Sequence, residues 1–140
     1  MVKVSQGILK RICYHGEKAY PEECCGALFG TYRDGLRTVQ DIREIPSAQE
    51  LSRDRRFLIT SVQYRLLEKL ALDKGFELIG FYHSHPDHQA QPSLYDREHA
   101  LPWFVYLIVS VTGQTSNGRL TAWILSENRH RFQEDTVEIG

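Results

Sequence analysis

The fold of this 140-residue chain is decided by the stretch GFYHSHPDHQAQPSLYD, residues 80–96. Residues 77–82 are short, largely apolar and follow Gly75, which is typical of a buried strand. Because side chains alternate faces along a strand, His83 and His85 leave on the same side and their imidazoles can converge. Pro86 lacks an amide hydrogen and ends the strand. After a polar loop, Ser93 starts a helical pattern with Asp96 in its first turn.

Two imidazoles and one carboxylate form a three-ligand zinc set, which leaves the fourth tetrahedral position for water. Such a set indicates a catalytic zinc, because structural zinc sites are closed by protein ligands. The local residues leave a second interpretation open. A His-x-His pair arises by chance, and Ser93 with Asp96 also fits an ordinary helix N-terminus. The metal site is therefore a hypothesis at this level.

Composition narrows the class of protein. The 17 basic and 18 acidic residues nearly cancel, and no segment is a dense basic run, so we expect no nucleic-acid binding by bulk charge. The first residues are too polar for a signal peptide, and no apolar run approaches membrane-spanning length. Three cysteines form an odd set, which favours reduced thiols and a cytoplasmic location. The length favours one domain over residues 1–140.

The remaining pattern supplies a scaffold of alternating helices and strands. Helices are predicted over residues 5–19 and, from a capping box at Thr60, as far as residue 73. Strands are predicted at residues 24–32, 36–45, 57–59, 104–111 and 119–125, with a polar turn over residues 112–118 and a closing edge strand within 129–139.

A family resemblance adds to this reading. His83-x-His85, seven residues, Ser93, two residues and Asp96 resembles the JAMM motif H-x-H-x7-S-x2-D of the Mov34/MPN metalloproteases. A glutamate before a Cys-Gly pair, another family feature, is matched by the segment from Glu23 to Gly26. The resemblance spans about residues 5–126. It implies an α/β (α+β) cytidine deaminase-like MPN fold, with a central mixed, mostly antiparallel sheet flanked by helices.

The resemblance also implies roles for individual residues. His83, His85 and Asp96 would bind one Zn²⁺, and the Ser93 hydroxyl would donate to the developing oxyanion. A zinc hydrolase needs a base outside the ligand set. Two adjacent acids at a strand entrance are by themselves more typical of solvated surface. The family pattern nevertheless selects Glu23 as the general base and rejects its neighbour Glu22.

Other residues with suitable chemistry have more ordinary explanations. Cys25 could be a zinc ligand, but a small core residue is the more common role, and the family match makes it structural. Alternation predicts that only one of Cys24 and Cys25 lies on the core face. His99 is expected to be partly buried or on the surface. His88 lies in the loop, where it could contact a substrate.

The family implies hydrolysis of a peptide or isopeptide bond after the C-terminal glycine of a ubiquitin-like protein. The chain resembles the small prokaryotic members, which suggests a ubiquitin-like or sulfur-carrier protein as partner. Arg53, Arg55 and Arg56 lie where family members contact such substrates. Two alternatives remain: a non-catalytic MPN interaction scaffold and a zinc hydrolase of small amides. A nucleobase deaminase is disfavoured, because no Cys-x-x-Cys pair exists.

Overall fold

A computed structural model describes residues 1–46 and 60–140 of the chain. The predicted strand at residues 57–59 and the substrate candidates Arg53, Arg55 and Arg56 lie outside the described residues. The described helices are α1 (Gln6–Ala19), α2 (Ser61–Asp73) and α3 (Leu94–His99). The described strands are β1 (Val2–Val4), β2 (Cys25–Arg33), β3 (Leu36–Glu44), β4 (Glu77–Pro86), β5 (Val105–Thr112), β6 (Thr115–Leu125), β7 (Phe132–Asp135) and β8 (Val137–Ile139).

Within these residues the strands form one sheet in the order β7-β6-β5-β4-β2-β3-β1-β8. β4 lies inside the sheet, antiparallel to β2 and parallel to β5. β1 pairs in parallel with β3 and with β8, whereas the pairs β2–β3, β5–β6 and β6–β7 are antiparallel. The expected mixed, mostly antiparallel sheet flanked by helices is therefore confirmed.

α1 and α2 each begin at a side-chain cap, and the cap of α2 is the one predicted at Thr60. Ser5 Oγ accepts the Ile8 amide hydrogen at 3.2 Å, and Thr60 forms a reciprocal capping box with Gln63. α1 buries Ile8, Leu9, Ile12 and Cys13 against one face of the sheet. α2 buries Leu67 and Ala71 against the other face. The sheet is therefore covered on both sides.

The polar segment at residues 112–118 was expected to be a turn; a turn is present there, but it is confined to residues 113–114. β5 continues to Thr112 and β6 already begins at Thr115, directly opposite it. Gly113, at φ +60°, makes the tight connection that keeps the strands paired. A register shift between Val109 and Val111 absorbs the irregularity, so polar residues form strand rather than loop.

The predicted edge strand within residues 129–139 is two strands at opposite edges of the sheet. β7 pairs with β6, and β8 pairs with β1. Only Thr136 separates them, so the two edges of the sheet meet and the sheet curls around α1. The partner strand, β1, has three residues, too short for a clear alternation signal.

The expectation that only one of Cys24 and Cys25 is in the core is also wrong. Cys24 packs on the α1 side and Cys25 on the α2 side, and both are buried. Alternation holds, but both faces of the sheet are covered. All three cysteines are free thiols. Among the described helices, none has both the length and the apolar character needed to cross a membrane.

Candidate active site

β4 carries the two histidines on the face of the sheet that also bears Phe81 and α2. Both side chains are buried, and their Nε2 atoms lie 3.1 Å apart. The alternate residues Tyr82 and Ser84 point to the α1 face, where they are fully buried. The convergence expected from strand alternation is present.

Asp96 comes to the same point from the first turn of α3. Ser93 caps this helix: its Oγ accepts the Asp96 amide hydrogen at 3.1 Å, and its own amide donates to Asp96 Oδ2 at 2.8 Å. That carboxylate oxygen lies 3.3 Å from His83 Nε2 and 3.2 Å from His85 Nε2. The reciprocal cap therefore fixes the carboxylate against both imidazoles.

The three converging atoms fit a tetrahedral zinc ion. Ligands about 2.0–2.1 Å from such an ion lie roughly 3.3 Å from one another, close to the separations here. The Nδ1–H of His85 donates to the Gln89 carbonyl at 2.9 Å, which leaves the Nε2 lone pair of a neutral ring facing the centre. Donor set, spacing and tautomer all suit a metal.

The electrostatics of the cluster are tightly coupled. Burial by itself would raise the pKa of Asp96, but hydrogen bonds and charge interactions with His83 and His85 hold it well below the usual range. Burial likewise acts to lower the pKa of His85, but its contacts with Asp96 and Gln89 outweigh that effect and raise it. The aspartate is therefore ionised, as a metal ligand must be.

Glu23 lies beside this cluster at the entrance to β2. Its side chain is partly buried, and one carboxylate oxygen and a ring nitrogen of each histidine all lie within 4.8 Å of one another. Glu23 could thus replace Asp96 in a three-ligand set. We favour Asp96 as the ligand, because its carboxylate oxygen contacts both imidazoles at 3.3 Å or less. Glu22 is exposed and does not line the site cavity.

The chain on both sides of Glu23 is hydrogen-bonded to β4 or to the loop that follows it. The Tyr20 hydroxyl donates to Asp87 Oδ2 at 2.7 Å. The Cys24 amide donates to Ser84 Oγ at 2.8 Å, and the Ser84 amide donates to the Cys24 carbonyl at 3.2 Å. These positioning contacts were not predicted from the sequence. Strand alternation places Ser84 on the face opposite the histidines. It does not predict that Ser84 accepts a hydrogen bond from the Cys24 amide.

A cavity of about 510 Å³ borders the candidate metal ligands His85 and Asp96 and the candidate base Glu23. His88 is exposed and borders it, as a substrate contact would, whereas nothing is described of the His99 side chain. Ser93 also borders it, and its hydroxyl hydrogen stays available because the cap uses the oxygen as acceptor. The lining is completed by Glu23, His85, Pro86, Gln89, Gln91, Pro92 and Asp96.

The cysteine thiols do not belong to this site. Cys25 packs among apolar residues, and burial raises the pKa of its thiol well above the ordinary value. Burial also raises the pKa of Cys24 to about 12. Neither thiol would ionise readily near neutral pH, which argues against a thiolate ligand or nucleophile.

Comparison with known proteins adds independent findings. The family model described as prokaryotic homologues of the JAB domain matches residues 5–126. Desampylase from Haloferax volcanii is 36% identical over 103 residues, which cover 73% of this chain and 68% of that protein. A protein from Salinibacter ruber, solved in solution, is 39% identical with a TM-score of 0.76, covering 100% of this chain and 92% of that one.

A more distant structure bears on the fold alone. It is described as JAMM, a metalloprotease-like zinc site in the proteasome and signalosome, and is 18% identical. The match has a TM-score of 0.58 and covers 100% of this chain and 98% of that one. The family match spans most of the sequence and includes every residue of the cluster described above. The chain therefore belongs to the JAMM/MPN family, among the prokaryotic homologues of the JAB domain.

Proposed function

We propose that this protein is a zinc-dependent JAMM-type isopeptidase. It hydrolyses the peptide or isopeptide bond after the C-terminal glycine of a ubiquitin-like or sulfur-carrier protein. The observation that carries the proposal is the convergence of His83 Nε2, His85 Nε2 and Asp96 Oδ2 within 3.1–3.3 Å of one another, with Glu23 beside them. Family membership and the relative named desampylase support the same class of reaction.

His83, His85 and Asp96 would hold the zinc ion. When bound, zinc would polarise the scissile carbonyl and lower the pKa of water at the site. Glu23 would take a proton from the attacking water and return it to the leaving amine. Its partly buried carboxylate borders the cavity, where it can reach such a proton directly or through one water.

Ser93 would supply a donor to the carbonyl oxygen as negative charge develops there. The hydroxyl oxygen is already an acceptor in the helix cap, which holds the side chain at the cavity wall. One well-aimed donor of this kind is worth roughly 3 kcal/mol in the transition state. Removing it should therefore lower kcat more than it raises KM.

The decisive experiment compares substrates on one zinc-loaded preparation. Metal content is measured, and the protein is then incubated with a ubiquitin-like protein joined through its terminal glycine to a lysine side chain. A linear fusion of the same protein and a set of small amides are assayed alongside. We expect about one zinc per chain and cleavage of the macromolecular substrates directly after the glycine.

The other outcomes are equally informative. Bound zinc with cleavage of small amides alone would make the protein a small-molecule hydrolase. A chain that neither binds zinc nor cleaves any substrate, yet binds a partner protein, would be an interaction scaffold. Either result would overturn the proposal.

A further inference from the structure

A second cavity, of about 420 Å³, lies directly beside the proposed active site. The two share a wall made of Gln91, Pro92 and Ser93. The rest of the second cavity comes from α3 and from the β6 and β7 region: Leu94, Arg97, Trp123, His130, Arg131 and Phe132. Because the two cavities share this wall, an extended chain lying in the catalytic cavity can continue into the second one; about three extended residues span roughly 10 Å.

The charge of this second cavity is one-sided. Arg97, His130 and Arg131 line it, and no aspartate or glutamate does so among the described residues. Arg97 donates to the His130 carbonyl at 3.0 Å. In the described part of the chain, no carboxylate forms an ion pair with either arginine. Since the whole chain carries a formal charge of −1, this positive patch is a local feature rather than bulk charge.

Apolar surface lies next to Arg97 and Arg131. Trp123 is only partly buried, and its indole N–H donates to Thr121 Oγ1 at 2.8 Å, which fixes the ring against the cavity. Phe132 is also partly buried, and Leu94 is exposed. Arginines beside a fixed tryptophan are typical of residues that carry binding energy in protein recognition. A carboxylate next to an apolar side chain complements both features.

We propose that this second cavity binds an acidic segment of the protein substrate, lying within about three residues of the scissile bond. The segment presents a carboxylate to Arg97 and Arg131 and an apolar side chain to Trp123. This proposal rests on the proposed function and deepens it, because it names the substrate chemistry that the same site selects. Complementary charge would act on encounter and on register rather than on the chemical step.

The test uses synthetic branched peptides, each with a tail ending in Gly-Gly joined to a lysine side chain. In one pair of substrates, Glu-Leu is placed two or three residues from the isopeptide bond, on the tail side or on the lysine side. Matched peptides carry Gln-Ser or Lys-Leu at the same positions. We expect one of the acidic peptides to be cleaved about tenfold more efficiently than its neutral match, mainly through a lower KM.

The variant Arg131→Glu should reduce this preference to about onefold or reverse it, because the charge that selects the acid is inverted. Arg33→Glu is the matched control. Arg33 lies at the far end of β2, and its ion pair with Glu77, at 4.0 Å, is exposed. The control should keep the preference. Thermal melting of each variant verifies the fold.

Binding of fluorescent acidic and neutral peptides, measured by anisotropy, separates this proposal from the proposed function. If no peptide is cleaved but the acidic one binds in an Arg131-dependent manner, the proposed function fails and the acidic site stands. If all peptides are cleaved and bound equally, or if Arg131→Glu leaves the preference intact, the acidic site is refuted while the isopeptidase stands.

Discussion

Alternate residues of β4 give its two faces different roles. On the α1 face, Tyr82 and Ser84 are fully buried and packed without spare room. A Cβ added at Gly26 would lie 2.1 Å from the Tyr82 ring, and one at Gly16 would lie 3.2 Å from Ser84 Cβ. On the opposite face, His85 lines a cavity, and His83 lies next to it with the two Nε2 atoms 3.1 Å apart. One face fixes the position of the strand, and the other presents the ligands.

This difference explains how ligands on one strand can be held in a precise geometry. A site needs its groups within about 0.5 Å of their working geometry, which side-chain packing on the site face alone cannot provide when that face is open. Here the packing on the closed α1 face holds β4 in position. The Ser84 hydroxyl, bonded to the Cys24 amide, also holds the backbone beside Glu23. Changes on the site face should therefore remove activity but not the fold, whereas changes on the α1 face should affect stability first.

The largest effect is expected from Asp96→Asn on the site face. A neutral amide is a poor zinc ligand, so we expect loss of bound zinc and activity at the background rate. Metal analysis and cleavage assays on the same preparation test this. Asn can still cap the helix in part, so the far-ultraviolet circular dichroism spectrum should remain that of the wild type. Full zinc retention would show that Asp96 is not a ligand.

Glu23→Gln should lower kcat by about 10² to 10⁴ while zinc stays bound. The amide has nearly the same shape as the carboxylate but cannot accept a proton. Kinetics and metal content together separate this variant from Asp96→Asn. The matched control is Glu22→Gln, at the exposed neighbour, which should behave as wild type. An active Glu23→Gln enzyme would contradict the assignment of the base.

Gly26→Ala tests the packing on the α1 face of the sheet. The added methyl would meet the buried Tyr82 ring at 2.1 Å, so the ring or the strand must move. Overpacking of this kind costs about 1–3 kcal/mol of unfolding free energy. Denaturant unfolding measures it, and Gly35→Ala gives a contrast, because its strain comes from φ +80° and not from a clash. Equal stability of Gly26→Ala and wild type would show that this face has room.

Ser84→Ala tests whether the α1 face positions the general base. It leaves the buried Cys24 amide without the hydroxyl partner it has at 2.8 Å, at a cost of about 1–3 kcal/mol. A displaced Glu23 should also lower kcat about tenfold with KM nearly unchanged. The split between kcat and KM is the measurement. A loss of stability with normal kcat would leave Ser84 a purely structural residue.

The smallest effect concerns pH and a carboxylate remote from the cavity. Burial acts to raise the pKa of Asp41, but hydrogen bonds from Lys74, Ile42 and Arg11 outweigh it and lower the pKa. A depressed folded-state pKa contributes stability above the unfolded value near 4, and that contribution is lost as pH falls through the folded value. Because its charged partners Arg11 and Lys74 are exposed, we expect a contribution to stability of less than about 1 kcal/mol.

Asp41→Asn should therefore lower Tm slightly at pH 7 and flatten its decline below about pH 4. Thermal melts across this range measure the effect. The control Glu68→Gln, at an exposed acid of α2, should leave the profile unchanged. A steeper decline in Asp41→Asn would reverse the sign of the proposed linkage.

The parts of the site that could be predicted from the sequence are those whose geometry follows from one local rule. Strand alternation was enough to bring His83 and His85 together, and the capping signal placed Asp96 in the first turn of α3. The proximity of Glu23 rested on the family resemblance, because no local rule joins residues so far apart. The ties through Tyr20 and Ser84 that hold it there depend on tertiary packing.

Two errors arose from tertiary structure that local patterns do not encode. The double coverage of the sheet hid a second core face, so Cys24 and Cys25 could not both be assigned to the interior. The three-residue strands at one edge of the sheet are fixed by partners far along the chain. Pairing of this kind leaves almost no local periodicity to detect.

The carboxylate of Asp96 has a further consequence. Its Oδ2 accepts the Ser93 amide hydrogen and also faces both imidazoles, so the same atom belongs to a helix cap and to the proposed metal centre. Adding a chelator should therefore fray the first turn of α3, and hydrogen–deuterium exchange there should quicken while the amides of β5 stay protected. The amide exchange rates of α3 would then report metal loading without any substrate.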